Sequence, residues 1–449
     1  MVSRFLMPVV NRIVMLALVI ATLGATGDSS KPSIPAKKIT REIVPGVVYS
    51  KEYFPRTRWR VHTLTVDLSR PDIDLRVMKG LEHVAGLEKL QQMAERLDSL
   101  EPGLTVLAGI NANFWSAGTH QVIGPMVKDG VFINHAKYKN WSSFVVDTSR
   151  SLYIDRYDLS ITAATPFGLF TISEVNARTD SHTVSLYTRF YGPALPFVDT
   201  LGILTASRDT ITDESESDSI NGFILDSLWR VHPERSTLKL KFEYLSKPLA
   251  NARVLCVLTG VDTSAVDIPE NGGILSLGVM KVSPFMYYFA VGDTFSLASY
   301  SNPVLANPVL QMISGTPRLV RNGKVSVEWR EEGLRKRSFV RGRYGRTAVG
   351  FSKNGKKLIF LSVERTNRAS RTRGIPLANL ARLIRARGAY QALNLDGGSS
   401  STMVIRNKTV CPSAGSAYSR KVASGLFVVL RQGNAKDSIP SLQNPGNRY

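Results

Sequence analysis

Cysteine and histidine are scarce in this chain of 449 residues, with two of the first and six of the second. Cys256 and Cys411 can form at most one disulfide, so a chain this long does not depend on a disulfide framework; their pairing is left open. His62, His83, His120, His135, His182 and His232 are scattered, with no pair at helical metal-ligand spacing and no Cys/His cluster at zinc spacing. No cofactor is predicted from these residues, and a divalent metal is left open. Long apolar runs are also lacking. The longest candidate, 13–23 (IVMLALVIATL), is too short to span a bilayer comfortably. Acidic residues are the third shortfall. Against 57 Lys and Arg stand 36 Asp and Glu, a formal charge of +21, which points to an acidic partner such as a phosphate-bearing polymer, a nucleic acid or an anionic surface.

What is present begins with an address. Arg4 and Arg12 precede the short apolar run, and Gly24, Ala25 and Gly27 follow it, the pattern of a secretory signal peptide over 1–27. An uncleaved N-terminal segment is the alternative, and only through it would the chain meet a membrane. Both place the folded part outside the cytoplasm, secreted or periplasmic. Residues 28–44 are rich in Lys, Pro and Ser and read as a linker. A single catalytic domain is expected over 45–432, with a variable insertion at about 190–255 that includes the acidic stretch 207–219. The polar tail 433–449 is expected to be disordered.

Within that domain, strand-like alternation occupies 59–68 and 73–78. Leu87, Leu90, Met93, Leu97 and Leu100 then mark an amphipathic helix. A buried-strand run at 104–110 leads into Asn111-Ala112-Asn113-Phe114-Trp115. Asp129-Gly130, Asn322-Gly323 and Asn354-Gly355 each sit between apolar runs, as the central pair of a type I′ hairpin would. A second helix is expected over 376–387, with Pro376 in its first turn and Gly388 ending it. Strands outnumber helices, so the expected fold is α+β, with antiparallel or mixed sheets and few flanking helices.

Three places could carry chemistry. The strand 391–395 delivers Asn394 and Asp396 to a turn, Asn394-Leu395-Asp396-Gly397-Gly398-Ser399-Ser400-Ser401-Thr402. Two glycines let the backbone approach a ligand, and the hydroxyls and amides beside Asp396 could bind an anion. A plain hairpin turn with Asp396 capping its own backbone fits the spacing equally well. The second place is the 111–115 segment, whose asparagines and aromatics could grip a sugar or could simply close a buried strand end. The third is the stretch 330–373, with fourteen Lys and Arg against Glu331, Glu332 and Glu364. Arginine forks hold phosphate in bidentate fashion, whereas a solvated face is the ordinary reading of a charge run. Arg346 opens the apolar strand 347–351 and Glu364 ends the strand 358–363, so both would be held in place. Glu364 could be the second carboxylate that glycoside hydrolysis often uses.

Taken in order, these segments resemble the phosphodiester glycosidase family. The matching elements are 111–115, the hairpin 124–130, Ser314-Gly315-Thr316-Pro317 through Asn322-Gly323, Arg346-Thr347-Ala348-Val349-Gly350, Gly374-Ile375-Pro376-Leu377 and Asn394–Thr402. The chain departs from the family pattern at Ala112 and Asn113, which replace two glycines, at Glu364-Arg365, where Asp-Gly is usual, and at Ser399. The resemblance implies cleavage between a sugar's anomeric carbon and a phosphodiester oxygen. On that basis Asp396 is the expected essential carboxylate, Glu364 a second one, and Arg346 the phosphate anchor. Ser399 and Ser400 would assist Arg346, with Gly397, Gly398 and Thr402 completing the turn. Asn111, Asn113 and Asn394 would orient sugar hydroxyls. Two other readings fit the residues: an anionic-polysaccharide binder without catalysis, and a hydrolase of P–O or ordinary glycosidic bonds. No nucleic-acid motif accompanies the basic charge.

Overall fold

In a computed structural model, residues 35–180, 182–196, 237–282, 288–365, 372–411 and 420–432 are described. The signal-like segment 1–27, the acidic stretch 207–219 and the tail 433–449 lie outside them. Two antiparallel sheets stacked face to face carry most of the apolar residues. The first runs Lys37–Val44, Val47–Phe54, β1 (Trp59–Asp67), Lys357–Val363, Arg346–Phe351, Gln391–Asn394, Arg318–Arg321 and Lys324–Val325. The second runs Lys408–Cys411, Met403–Ile405, β2 (Leu104–Asn111), Ser424–Arg431 and Ile73–Lys79. We label Arg346–Phe351 β3, Lys357–Val363 β4 and Gln391–Asn394 β5.

Side-chain parity explains the layering. Val349, Phe360 and Leu393 point inward from the first sheet to meet Leu107, Ile110, Met403 and Leu426 of the second in one core. The opposite faces are covered by helices. α1 (Leu90–Leu100) lays Leu90, Met93, Ala94 and Leu97 on Val106 and Phe427. α2 (Arg337–Arg341) is a single turn, and α3 (Leu377–Ala386) packs Leu377, Leu380 and Ile384 on Ala348, Leu361 and Val363. Pro376 caps α3 with extended backbone, and Gly388, at φ +99°, ends it. A third, five-stranded sheet includes Val309–Gly315 and the 126–134 hairpin. An eight-stranded fourth sheet built from 158–302 packs its own core against Val127, Val145 and Met312.

The α+β expectation thus holds at the level of strand-rich, mainly antiparallel sheets with few helices; the one parallel pair among the described residues is Glu174–Val175 with Val184–Thr188. Three expectations need correction. Lys37–Val44 is an edge strand rather than linker. Its charged, exposed side chains give it no apolar period, which is how edge strands avoid pairing with other chains. The interval 190–255 is no simple insertion, because Leu238–Tyr244 sits inside the fourth sheet between two partners. At Asn354-Gly355 only Gly355 has positive φ, and the strands close at Ser352 and Lys357 around a longer loop. Asp129-Gly130 and Asn322-Gly323 do both have positive φ, as a type I′ turn requires. Cys256 and Cys411 are both free, buried in separate cores.

Candidate active site

Asp396 leaves the end of β5 at the point where the two stacked sheets meet. Its backbone N–H donates to the Ala112 carbonyl at 2.9 Å, and its own carbonyl accepts from Asn111 Nδ2 at 2.8 Å. The turn then lies against the start of β3. A Cβ on Gly397 would come within 2.9 Å of the Gly345 carbonyl oxygen and 3.7 Å of Arg346 Cδ. Gly398, at φ +63°, donates its N–H to the same carbonyl at 2.8 Å. Glycine is therefore what allows the carboxylate turn to sit on the arginine.

The Asp396 carboxyl receives the Gly397 N–H at 2.8 Å, the Ser400 hydroxyl and the Trp115 indole N–H, with the Arg420 charge nearby. Burial outweighs these donors and pushes its pKa up to about 6. Arg420 stacks over Trp115, 5.2 Å from the ring centroid, and donates to Ser399 Oγ. Ser399 and Ser400 thus serve the carboxylate through their neighbours as well as through the turn.

Arg346 is 1% exposed, so its guanidinium is out of water. It donates to the backbone carbonyls of Phe339 and Ile375, the latter at 3.4 Å. Its guanidinium carbon lies 4.8 Å from the Phe339 ring centre and 5.1 Å from that of Tyr344. No carboxylate among the described residues forms an ion pair with it, and burial pushes its pKa down to about 10. Arg365 approaches the same Tyr344 ring at 5.4 Å, so one phenol carries two cations. A buried guanidinium without a carboxylate partner, beside a carboxylate turn, is an arrangement that an anionic ligand would complete.

Glu364 does not share this pocket. Val363 pairs directly with Arg346, and Glu364 follows by one residue, which turns its side chain to the other face of the sheet. There its carboxylate accepts from Arg60 at 2.9 Å and from His62 Nε2 at 2.7 Å, while His62 Nδ1 meets the Tyr49 hydroxyl at 2.8 Å. Burial pushes His62 down against the Glu364 contact, and in a neutral ring Nε2–H would donate to the carboxylate while Nδ1 accepts from Tyr49. Burial would raise Glu364, but the His62 and Arg60 contacts prevail and hold it below its ordinary range. Together with Cys411 these residues present metal-type ligand atoms within 4.8 Å of one another, brought from three distant segments. The imidazole and carboxylate are already bonded to each other. Glu364→Gln is therefore expected to lower the melting temperature at neutral pH and leave kcat/KM of the folded protein within a few-fold of wild type. Because the folded carboxylate titrates below its ordinary value, the stability it contributes is lost as pH falls through that folded value. Melts at neutral and acid pH should show the gap between the two proteins closing in acid.

The three asparagines are spent largely on the scaffold. Asn111 is fully buried, and its Oδ1 accepts from the Thr347 hydroxyl at 2.7 Å and the Thr402 N–H at 3.0 Å. It ties β2, β3 and the Asp396 turn together. Asn113 is bound to the Ser424 hydroxyl, and Asn394 Nδ2 donates to the Thr316 carbonyl at 2.6 Å. Of their side-chain atoms, only Asn113 Nδ2 and Asn394 Oδ1 remain without partners. Of the expected site residues, then, Asp396, Gly397, Gly398, Ser399, Ser400 and Arg346 come together. Asn111 and Thr402 support them from behind, and Glu364 stands apart. Tyr344, Phe339, Arg365 and Arg420 are additions that the motif spacing did not single out.

Residues 258–429, which contain Arg346, the Asp396 turn and Arg420, match the family model for phosphodiester glycosidase. Over that stretch, which is less than half of its length, the chain is similar to the phosphodiester glycosidase family. Among curated relatives, the mouse and human N-acetylglucosamine-1-phosphodiester alpha-N-acetylglucosaminidases are 33% and 32% identical to it over 108 residues. Each match covers 22% of this chain and 20% of the relative. Two solved structures share the fold more broadly. A hypothetical protein from Synechocystis superposes with TM-score 0.60 at 19% identity, covering 88% of this chain and 64% of its own. A Burkholderia pseudomallei protein described as exported gives TM-score 0.55 at 17% identity, covering 84% and 74%. The 111–115 segment that supplies Trp115 lies outside the family match, yet its Trp115 side chain bonds to Asp396 within it.

Proposed function

We propose that this chain is a member of the phosphodiester glycosidase family, an exported hydrolase that cleaves a sugar-1-phosphodiester at the anomeric carbon. The observation that carries the reading is Arg346, buried without a carboxylate partner and packed on the turn of a carboxylate titrating near 6. A phosphate group departs without needing a proton, so one carboxylate suffices where an ordinary glycoside requires two. That matches a site in which Glu364 faces away. Asp396 acts as base toward water or as nucleophile at the anomeric carbon. Arg346, assisted by Arg365, binds the phosphate and stabilises the charge that gathers on it as the bond breaks. Export is supported by the 1–27 pattern; among the described residues no helix is long and apolar enough to cross a membrane.

The direct test is hydrolysis of a panel of methyl phosphodiesters of aldose 1-phosphates in ¹⁸O-water by the purified protein. The expected label enters the reducing sugar. Label in the phosphate would assign P–O cleavage instead, and binding with no product from any member would leave a non-catalytic binder.

A further inference from the structure

The basic stretch 330–373 does more than supply Arg346. Trp329, Arg330, Arg337, Val340 and Arg341 line a cavity of about 240 Å³. Arg330 stacks on Trp329, its guanidinium carbon 4.9 Å from the ring centre. Arg337 and Arg341 stand one helical turn apart on α2 and are exposed, as is Arg330. None of these three arginines makes an ion pair with a described residue. Two acids that flank Trp329 and Arg330 in sequence are spent elsewhere, while Glu331 is exposed. Glu328 is engaged by Arg156 at 2.7 Å and by Arg321 at 2.6 Å. Glu332, fully buried, accepts from Ser142 and Thr316 hydroxyls at 2.7 Å each and from the Arg318 N–H at 2.9 Å. The loop is thereby anchored from beneath, with its cations left outward. The same turn of helix also walls the candidate active site, because Phe339 receives Arg346 on its carbonyl and ring and lies 6.2 Å from Phe114.

We infer that this cavity is a second anion subsite that takes a neighbouring phosphate of a repeating sugar-phosphate polymer, with a sugar ring against Trp329. The two anion positions flank one helix and so lie on the order of 10 Å apart, the scale on which phosphates recur along such a chain. The inference rests on the hydrolase reading for the identity of the polymer, but the subsite itself is tested by binding alone. Inorganic polyphosphate serves as the probe, with wild type, Arg337→Ala/Arg341→Ala, Asp396→Asn, and a charge-matched control, Lys247→Ala/Arg253→Ala, altered at exposed positions elsewhere. The α2 double variant is expected to bind at least about tenfold more weakly, with the control and Asp396→Asn within twofold of wild type. Its KM should rise for a substrate with several phosphates and stay unchanged for a single methyl phosphodiester. Equal polyphosphate binding by wild type and the α2 variant would overturn the subsite, as would an equal loss in the control. Turnover failing for every substrate while the α2-specific binding loss persists would count against the hydrolase reading and leave the subsite standing.

Discussion

Asp396→Asn is expected to lower kcat/KM for a sugar-1-phosphodiester by at least about 100-fold, the low end of what a positioned acid–base group contributes. The fold should survive it. The carboxyl is held by the Gly397 N–H, the Ser400 hydroxyl and the Trp115 indole, and an amide oxygen can still accept from that set. The direction of the pKa shift adds a second, independent expectation. Its value is raised from 3.8 to about 6, so between those pH values the folded protein holds a proton that the unfolded chain has released. Stability therefore falls as pH rises through that window. The amide introduced by Asp396→Asn does not titrate and takes no part in this loss. The variant should thus melt at or above the wild-type temperature at neutral pH and lose that advantage near pH 4. In wild type, log kcat/KM should climb with pH and level off above about 6, where the carboxylate is ionised. A variant that loses stability at neutral pH, or keeps the same rising limb, would remove Asp396 from its role.

How much of this was visible in the chain differs from residue to residue. The Asp396 turn was legible because its chemistry is local: glycines, a carboxylate and hydroxyls follow one another in nine residues. Asn111 was misread because its partners are 236, 285 and 291 residues away, and no local pattern distinguishes an asparagine that binds sugar from one that staples three segments. Lys37–Val44 was missed for a different reason: an exposed edge strand has no apolar period to find.

Glu364 is the most instructive case, since the information against it was present. A hairpin closed at Asn354-Gly355 pairs Lys353 with Lys356. Carried outward, that register sets Arg346 opposite Val363, the pairing observed, even though the loop proved longer than two residues. Parity then sends Glu364 to the face opposite Arg346. Being at a strand end made Glu364 look poised, but which face it occupied decided its partners, and those turned out to be His62 and Arg60. The fourteen cations of 330–373 present the converse. Their number was plain, but only the fold shows that Glu332 and Glu364 are buried supports, which leaves Glu331 as the one exposed acid of that stretch.

Arg346→Met separates a structural arginine from a functional one, because the two roles predict opposite signs for stability. Were Arg346 there to hold the fold, its loss would cost the bonds to the Phe339 and Ile375 carbonyls and lower the melting temperature. As a buried cation with no carboxylate partner, it is instead a source of instability in the unliganded protein. Replacing it with an apolar chain of similar reach should raise the melting temperature while kcat/KM falls by about 10² to 10³, the usual loss when a preorganised donor to developing charge is removed. Arg346→Lys should recover little of that activity. Its ammonium keeps the charge but not the planar fork that reaches two carbonyls and an oxyanion together. Inorganic phosphate supplies the remaining readout. At about 100 times its Kd a ligand adds about 2.7 kcal/mol to folding, so in the Arg337→Ala/Arg341→Ala background, which lacks the second subsite, phosphate should raise the melting temperature markedly, and adding Arg346→Met should leave it unmoved. A Met variant that is both less stable and, in that background, still stabilised by phosphate would place the anion somewhere other than against Arg346.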